Sequence, residues 1–209
     1  MEVVIRRFVA EDIYRLNETN LDSYTENFMS SFYWEFLARW PDLCRVAQAL
    51  DGRIVGYILG RLDADPLEGN EPSVQRSNAQ RSNAQRSNVQ GSNAQGSNGE
   101  HSGADAGQQS WRGHVSALSV APAFRNRRVA QQLMRHFEEA CFAVGVHFID
   151  LFVRASNQPA INLYSSRGYR THKVVRGYYS NAENAHDMRL YAKDFHKTQP
   201  DHTSAQPAT

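Results

Sequence analysis

Residues 113–130 read Gly113-His-Val-Ser-Ala-Leu-Ser-Val-Ala-Pro122-Ala-Phe-Arg125-Asn-Arg127-Arg128-Val129-Ala130. Gly113 to Val120 has the make-up of a strand. Pro122 closes it, since proline cannot donate to a sheet ladder. A short loop with three arginines follows. Val129, Leu133, Phe137, Cys141 and Val144 then recur at helical spacing and predict a long amphipathic helix. A helix start offers unpaired N–H groups and the positive end of the helix dipole, and both attract anions. Arg125, Arg127 and Arg128 add charge and forked donors that suit phosphate oxygens. Strand, basic loop and helix in this order suggest a pyrophosphate site.

Strand and helix signals alternate on both sides of this unit. Val3 to Val9 is a β-branched run. Glu11 to Asn17 carries a short helical pattern, and residues 19–31 read as loop. Phe32, Phe36, Leu37 and Trp40 lie at helical spacing, and Pro41 ends that helix. Leu43 to Leu50 and Arg53 to Leu62 are strands around Asp51-Gly52, a strong hairpin signal. Beyond the central helix, Phe148 to Val153 is a near-continuous apolar run, as in a strand covered on both faces. Residues 157–167 are helical, with Gly168 as the stop. Tyr169 to Val175 and Met188 to Ala192 complete the pattern. The order β-α-α-β-β-β-α-β-α-β-β predicts an α/β fold, a mixed sheet with helices on its faces.

One stretch breaks the pattern. Residues 76–100 are five copies of a five-residue unit, RSNAQ-RSNAQ-RSNVQ-GSNAQ-GSNGE, with flanks equally poor in apolar residues. Such a composition cannot offset the entropy of ordering, so 63–110 reads as a disordered insertion in a single domain of residues 1–195. The insertion falls at a hairpin tip, where extra length costs little. The tail 196–209 also reads as unstructured.

With 41% hydrophobic residues, the chain can fill a core. A net charge of +1 gives no reason to expect a direct nucleic-acid or anionic-membrane partner. No apolar run reaches the roughly 20 residues a membrane span needs. MEVVIRRFVAED is too short and acidic for a targeting segment. Cys44 and Cys141 lie in apolar stretches without a CxxC pair, as expected of a reduced, cytoplasmic protein. The eight histidines have no metal-ligand spacing, so no metal is expected.

A second constellation is Phe152-Val-Arg154-Ala-Ser-Asn157-Gln-Pro-Ala160-Ile-Asn-Leu-Tyr164-Ser-Ser-Arg-Gly168-Tyr169. Asn157 and Tyr164 are seven apart and share one helix face, roughly 10 Å along its axis. An amide there can hold an extended ligand, and a phenol can donate a hydrogen bond or a proton to it.

The arginine loop resembles the acetyl-CoA pyrophosphate motif of the GNAT superfamily, [QR]-x-x-G-x-[GA], with Arg125 and Ala130 at its ends and Arg128 where the motif has glycine. Asn157…Tyr164…Gly168-Tyr169 is similar to the second signature of that superfamily. Asn20 to Phe28, Phe32-Tyr33, Trp40-Pro41, Gly113 to Pro122, Asp150 to Arg154, Tyr178-Tyr179-Ser180 and Asp187-Met-Arg189 resemble, in this order, the catalytic subunits of NatB-type N-terminal acetyltransferases.

That resemblance implies a GNAT fold of about seven mostly antiparallel strands and about four helices. It implies transfer of acetyl from acetyl-CoA to the α-amine of chains beginning Met-Asp, Met-Glu, Met-Asn or Met-Gln. Leu118, Ser119, Val120, Arg125, Arg127, Arg128, Val129, Ala130, Asn157 and Tyr164 would then bind the cofactor, with Tyr164 and Asn157 serving catalysis. Glu26, Phe28, His114, Ser116, Tyr178 and Tyr179 would bind the peptide N-terminus. A large auxiliary subunit would bring the catalyst to the ribosome. The aromatic cluster Phe32, Tyr33, Trp34, Phe36 and Trp40 exceeds what one helix face buries and suggests a surface for that partner. The alternatives are a GNAT enzyme acting on a small amine or a lysine side chain, and a non-catalytic CoA-binding scaffold. A lysine substrate would call for a carboxylate base, and Glu26 is the available candidate.

Overall fold

The computed structural model describes residues 2–22, 24–65 and 110–198. Most of the expected insertion, 66–109, and residues 199–209 of the expected tail lie outside the described residues; the first three tail residues, 196–198, are helical instead of unstructured. Seven strands form one sheet: β1 (Val3–Arg7), β2 (Arg45–Ala49), β3 (Ile54–Ala64), β4 (Trp111–Val120), β5 (Phe148–Arg154), β6 (Arg170–Val175) and β7 (Ala185–Tyr191). Their spatial order is β1-β2-β3-β4-β5-β7-β6. Every neighbouring pair is antiparallel except β4 with β5. This is the mixed, mostly antiparallel sheet that the sequence suggests.

Four α-helices pack on the sheet: α1 (Ser30–Arg39), α2 (Val129–Ala143), α3 (Gln158–Ser166) and α4 (Ala192–Thr198). Val129, Leu133, Phe137 and Cys141 seat α2 on one face, in a core shared with Val115, Ile149, Leu151, Met188 and Phe195. Val144 does not join this stripe. It is 64% exposed, because the chain leaves the helix at Gly145, whose φ is +82°. Tyr33 and Phe36 of α1 fill a second core on the opposite face, with Phe8, Val46, Ile54, Tyr57 and Leu59.

The first expected helix is a 3-10 turn, Ala10–Arg15. Its buried Asp12 accepts two hydrogen bonds from Arg6, at 2.6 and 2.8 Å, and one from the Val9 amide. The expected last strand, Met188 to Ala192, sits three residues too late: β7 begins at Ala185, and Ala192 opens α4. Strand β3 runs on to Ala64 and pairs with Trp111, and the Asp65 amide donates to the Ser110 carbonyl at 2.7 Å. The extra chain therefore leaves from hydrogen-bonded strand ends, and the expected 63–110 boundary is too wide at both sides.

Gly168 ends α3 as read from the sequence. With φ at +92° it lets its own amide reach the Ser165 carbonyl and the Tyr169 amide reach the Tyr164 carbonyl. The rings of Tyr164 and Tyr169 lie 5.9 Å apart across this cap. The helix stop thus fixes the tyrosine that the sequence singled out.

Candidate active site

The site begins where β4 and β5 part. They pair only from Arg112 with Phe148 to Val115 with Leu151. Both strands continue past that point without pairing, which opens a wedge in the sheet. A β-bulge marks it: Leu59 faces Ala117 and Gly60 faces Val115, so Ser116 is the extra residue. The bulge resets the alternation, and Leu118 and Val120 pack on the same core as Val115. The Ala121 amide donates to Val55 of β3 at 2.8 Å. By alternation, the amides of Leu118 and Val120 point away from β3, into the wedge. The Ser119 amide points toward β3, and its hydroxyl accepts from the Asn20 amide at 3.1 Å. Ser119 thus props the loop at Asn20, and it also lines the cleft.

On the α2 side, Arg128 caps the helix with φ +62° and ψ +12°. This left-handed conformation disfavours side chains, which explains why the related motif carries glycine there. No side chain caps α2, so its first-turn amides are left for a ligand. Arg128, Val129 and Ala130 line the cleft that enters the wedge. Arg125 lines it too, but its guanidinium is tied to Asp22 and, at 3.1 Å, to the Val120 carbonyl. Arg127 does not line the cleft; its guanidinium lies 5.7 Å from the Phe124 ring centre. Of the three arginines expected at a phosphate, Arg125 and Arg128 line the cleft and Arg127 does not. Asn157 caps α3, its side-chain oxygen accepting from Ala160 at 3.2 Å, and this leaves its amide NH2 for a ligand. Tyr164 also lines the cleft, and burial pushes its phenol well above the ordinary value.

On the α1 side the same cleft is lined by Glu26, Phe28, His114, Ser116, Tyr178 and Tyr179. Phe28 stacks on Phe32 with ring centres 4.0 Å apart, and Tyr178 stacks on Phe152 at 4.8 Å. His114 Nδ1 lies 3.0 Å from Asp150 Oδ1, while Arg112 donates to Asp150 Oδ2 at 3.1 Å. Asp150 is fully buried. Burial would push its carboxyl up, yet the charges and hydrogen bonds of His114 and Arg112 hold it below the usual range. Glu26 is paired with Arg154, which also bonds Glu183 at 3.2 Å and lies 3.9 Å over the Tyr179 ring. Sequence reasoning missed Asp150, Arg154 and Glu183 as site residues. They act by pairing across distant strands and loops, and no local motif carries that. A buried polar group, in which Tyr57 donates to Asn20 at 2.9 Å and Asn20 to Tyr33 at 3.3 Å, pins the loop at Asn20 to the sheet.

The aromatic cluster on α1 resolves mostly into core. Tyr33 and Phe36 are buried, Phe32 and Trp40 pack against them, and Trp34 is the ring left 43% exposed. Among the described residues, no helix is long and apolar enough to cross a membrane.

The acetyltransferase (GNAT) family model matches residues 13–169. N-alpha-acetyltransferase 20 of Dictyostelium discoideum is 34% identical over 186 residues, covering 88% of this chain and 83% of that protein. The N-terminal acetyltransferase B complex catalytic subunit NAA20 of Arabidopsis thaliana is 36% identical, with the same coverage. The crystal structure of Chaetomium thermophilum Naa20 in complex with a bisubstrate analogue superimposes with a TM-score of 0.69 at 30% identity, covering 98% of this chain and 94% of that one. With a splayed β4–β5 wedge, an open α2 start beside it and a match over most of its length, the chain belongs to the acetyltransferase (GNAT) family.

Proposed function

We propose that the chain is the catalytic subunit of a NatB-type N-terminal acetyltransferase, moving acetyl from acetyl-CoA to the α-amine of peptides that begin Met-Asp, Met-Glu, Met-Asn or Met-Gln. The observation that carries this reading is His114, which lines the cleft and is backed by the buried Asp150 at 3.0 Å. On this reading His114 would offer the polar contact for a carboxylate or amide side chain at the second position.

The residues present fit acetyl-CoA. The first-turn amides of α2 and Arg128 suit its pyrophosphate, and the Asn157 amide suits its extended arm. The Leu118 and Val120 amides, turned away from β3, could donate to a thioester carbonyl as it develops charge. Tyr164 stays protonated because burial raises its pKa, so it can donate to the departing thiolate. An α-amine has an ordinary pKa near 7.7–8.0, so much of it is already neutral and a strong base is not required. The pairing of Glu26 with Arg154 disfavours the lysine-directed alternative, which would need that carboxylate as a base. An auxiliary subunit and docking at the ribosome are part of this proposal, as is a cytoplasmic location. So is the scheme of one domain, 1–195, carrying a disordered insertion.

A panel of peptides tests the pocket. Met-Asp and Met-Asn peptides are turned over at least about tenfold faster than Met-Lys, since a misplaced charge leaves buried polar groups unpaired. Equal rates on Met-Asp and Met-Lys would contradict the proposal.

Arg128 provides a second check. Arg128→Gly raises the KM for acetyl-CoA by about three- to tenfold, because one charge-assisted contact to phosphate is lost. Folding does not suffer, since glycine relieves the left-handed backbone of Arg128. An unchanged KM would remove Arg128 from the cofactor site.

A further inference from the structure

Arg154 is the last residue of β5 and pairs with Ala185 at the start of β7. Its side chain is 11% exposed and lines the cleft. A guanidinium holds its donors in a rigid planar fork, so it can serve acceptors on two sides at once. Here the acceptors belong to two different loops. One terminal nitrogen pairs with Glu26, ahead of α1. The other donates to Glu183 at 3.2 Å and to Asn181 at 3.3 Å, both in the turn between β6 and β7. Its Cζ also lies 3.9 Å from the centre of the Tyr179 ring in that same turn.

Each loop is shaped by its own bonds. In the β6–β7 turn, the Ala182 amide donates to the Tyr179 carbonyl at 2.9 Å, and the Tyr179 amide to the Glu183 carbonyl at 3.1 Å. The Glu183 carboxylate accepts from the amide of Ser156 at 2.9 Å and from its hydroxyl, which ties the turn to the start of α3. Ahead of α1, Asp22 accepts from the amides of Tyr24 at 2.8 Å and Thr25 at 2.9 Å. Arg154 then joins one shaped loop to the other on the peptide side of the cleft.

We infer that Arg154 is a positioning residue for the peptide: it sets the gap between the Glu26–Phe28 loop and the Tyr178–Tyr179 turn, which the first substrate residue has to enter. The inference rests on the N-terminal acetyltransferase reading above. A gap held at its working width spares the peptide the cost of ordering two loops as it binds. Lysine could not do the same, because a single ammonium has no fork to span two carboxylates and no plane to lie on Tyr179. The cofactor side is served by other bonds. Asn157 caps α3 through Ala160, and Glu183 holds Ser156, neither through Arg154. The loss of Arg154 is therefore felt by the peptide and not by acetyl-CoA.

The test is steady-state kinetics on a Met-Asp peptide, using the full chain with a NatB auxiliary subunit. Glu26→Ala and Arg154→Lys each raise the peptide KM about tenfold, the size of one coupled contact, and leave kcat and the acetyl-CoA KM within about twofold. Glu26 is 41% exposed, so Glu26→Ala removes the contact without opening a core. Glu26→Gln keeps an acceptor oxygen for Arg154 and recovers part of the loss. The double variant is no worse than Arg154→Lys alone, because both changes break the same bond. Additive effects would overturn the inference, since Glu26 would then act on the substrate independently of Arg154. A peptide KM unchanged in both single variants would overturn it too, as would an equal rise in the KM for acetyl-CoA. Failure of the unmodified enzyme to acetylate the peptide would instead overturn the functional reading beneath it.

Discussion

Replacing Tyr164 with phenylalanine lowers kcat about a hundredfold or more and leaves the KM for both substrates nearly unchanged. Tyr164 sits at the C-terminal turn of α3, held by the Gly168 cap and packed beside Tyr169. It is buried yet lines the cleft. Because burial keeps the phenol protonated, the hydroxyl can serve a developing thiolate across the working pH range. Phenylalanine keeps the ring and its packing but cannot donate. The interaction it removes exists mainly in the transition state, which is why kcat falls and KM does not. Steady-state kinetics on a Met-Asp peptide measure this, and a surviving kcat would strip Tyr164 of its role.

Gly60→Ala destabilises the fold by about 3 kcal/mol, which lowers Tm by roughly 6–12 °C for a chain of this size. A Cβ at residue 60 would lie 2.1 Å from Phe137 Cε2, 2.6 Å from Cζ and 2.9 Å from the His114 carbonyl oxygen. Phe137 is 1% exposed and central to the α2 stripe, so it has no free space to enter. Relief requires α2 to lift or β4 to shift at the bulge, and either move disturbs the cleft. The pairing is reciprocal: Phe137→Leu in the same chain restores part of the lost stability, since the two sites touch. Thermal unfolding followed by circular dichroism reads both variants. An unaltered Tm in Gly60→Ala would show that the β3–α2 contact is looser than described.

The fold was legible where periodicity and punctuation agree. The Val129 to Cys141 stripe, the apolar run from Phe148 and the Gly168 stop each name their element without help. Legibility failed where tertiary contacts override local preference. The 10–15 segment is wound as a 3-10 turn around a buried Asp12, and its partner Arg6 is on a neighbouring strand. Strand β7 starts with Ala185-His186-Asp187, which does not read as strand, because its buried acid is answered by Arg189 and not by apolar packing. In the site, residue types were readable but their engagements were not. Arg125 looks like a phosphate ligand until Asp22, 103 residues away, is found holding it. Glu26 looks like a free carboxylate until Arg154, 128 residues away, closes on it. The Ser116 bulge, which opens the wedge, has no residue signature at all. At Arg128 the structure supplies what the sequence did not, a left-handed backbone where the motif has glycine.

The central claim is that acetyl is delivered to a peptide α-amine. The most direct test offers a peptide beginning Met-Asp that also contains an internal lysine, together with acetyl-CoA and a NatB auxiliary subunit, and locates the acetyl group by fragment mass spectrometry. The account predicts acetylation at the N-terminal amine with the lysine left unmodified. Acetyl on the lysine, or on neither amine, would contradict it.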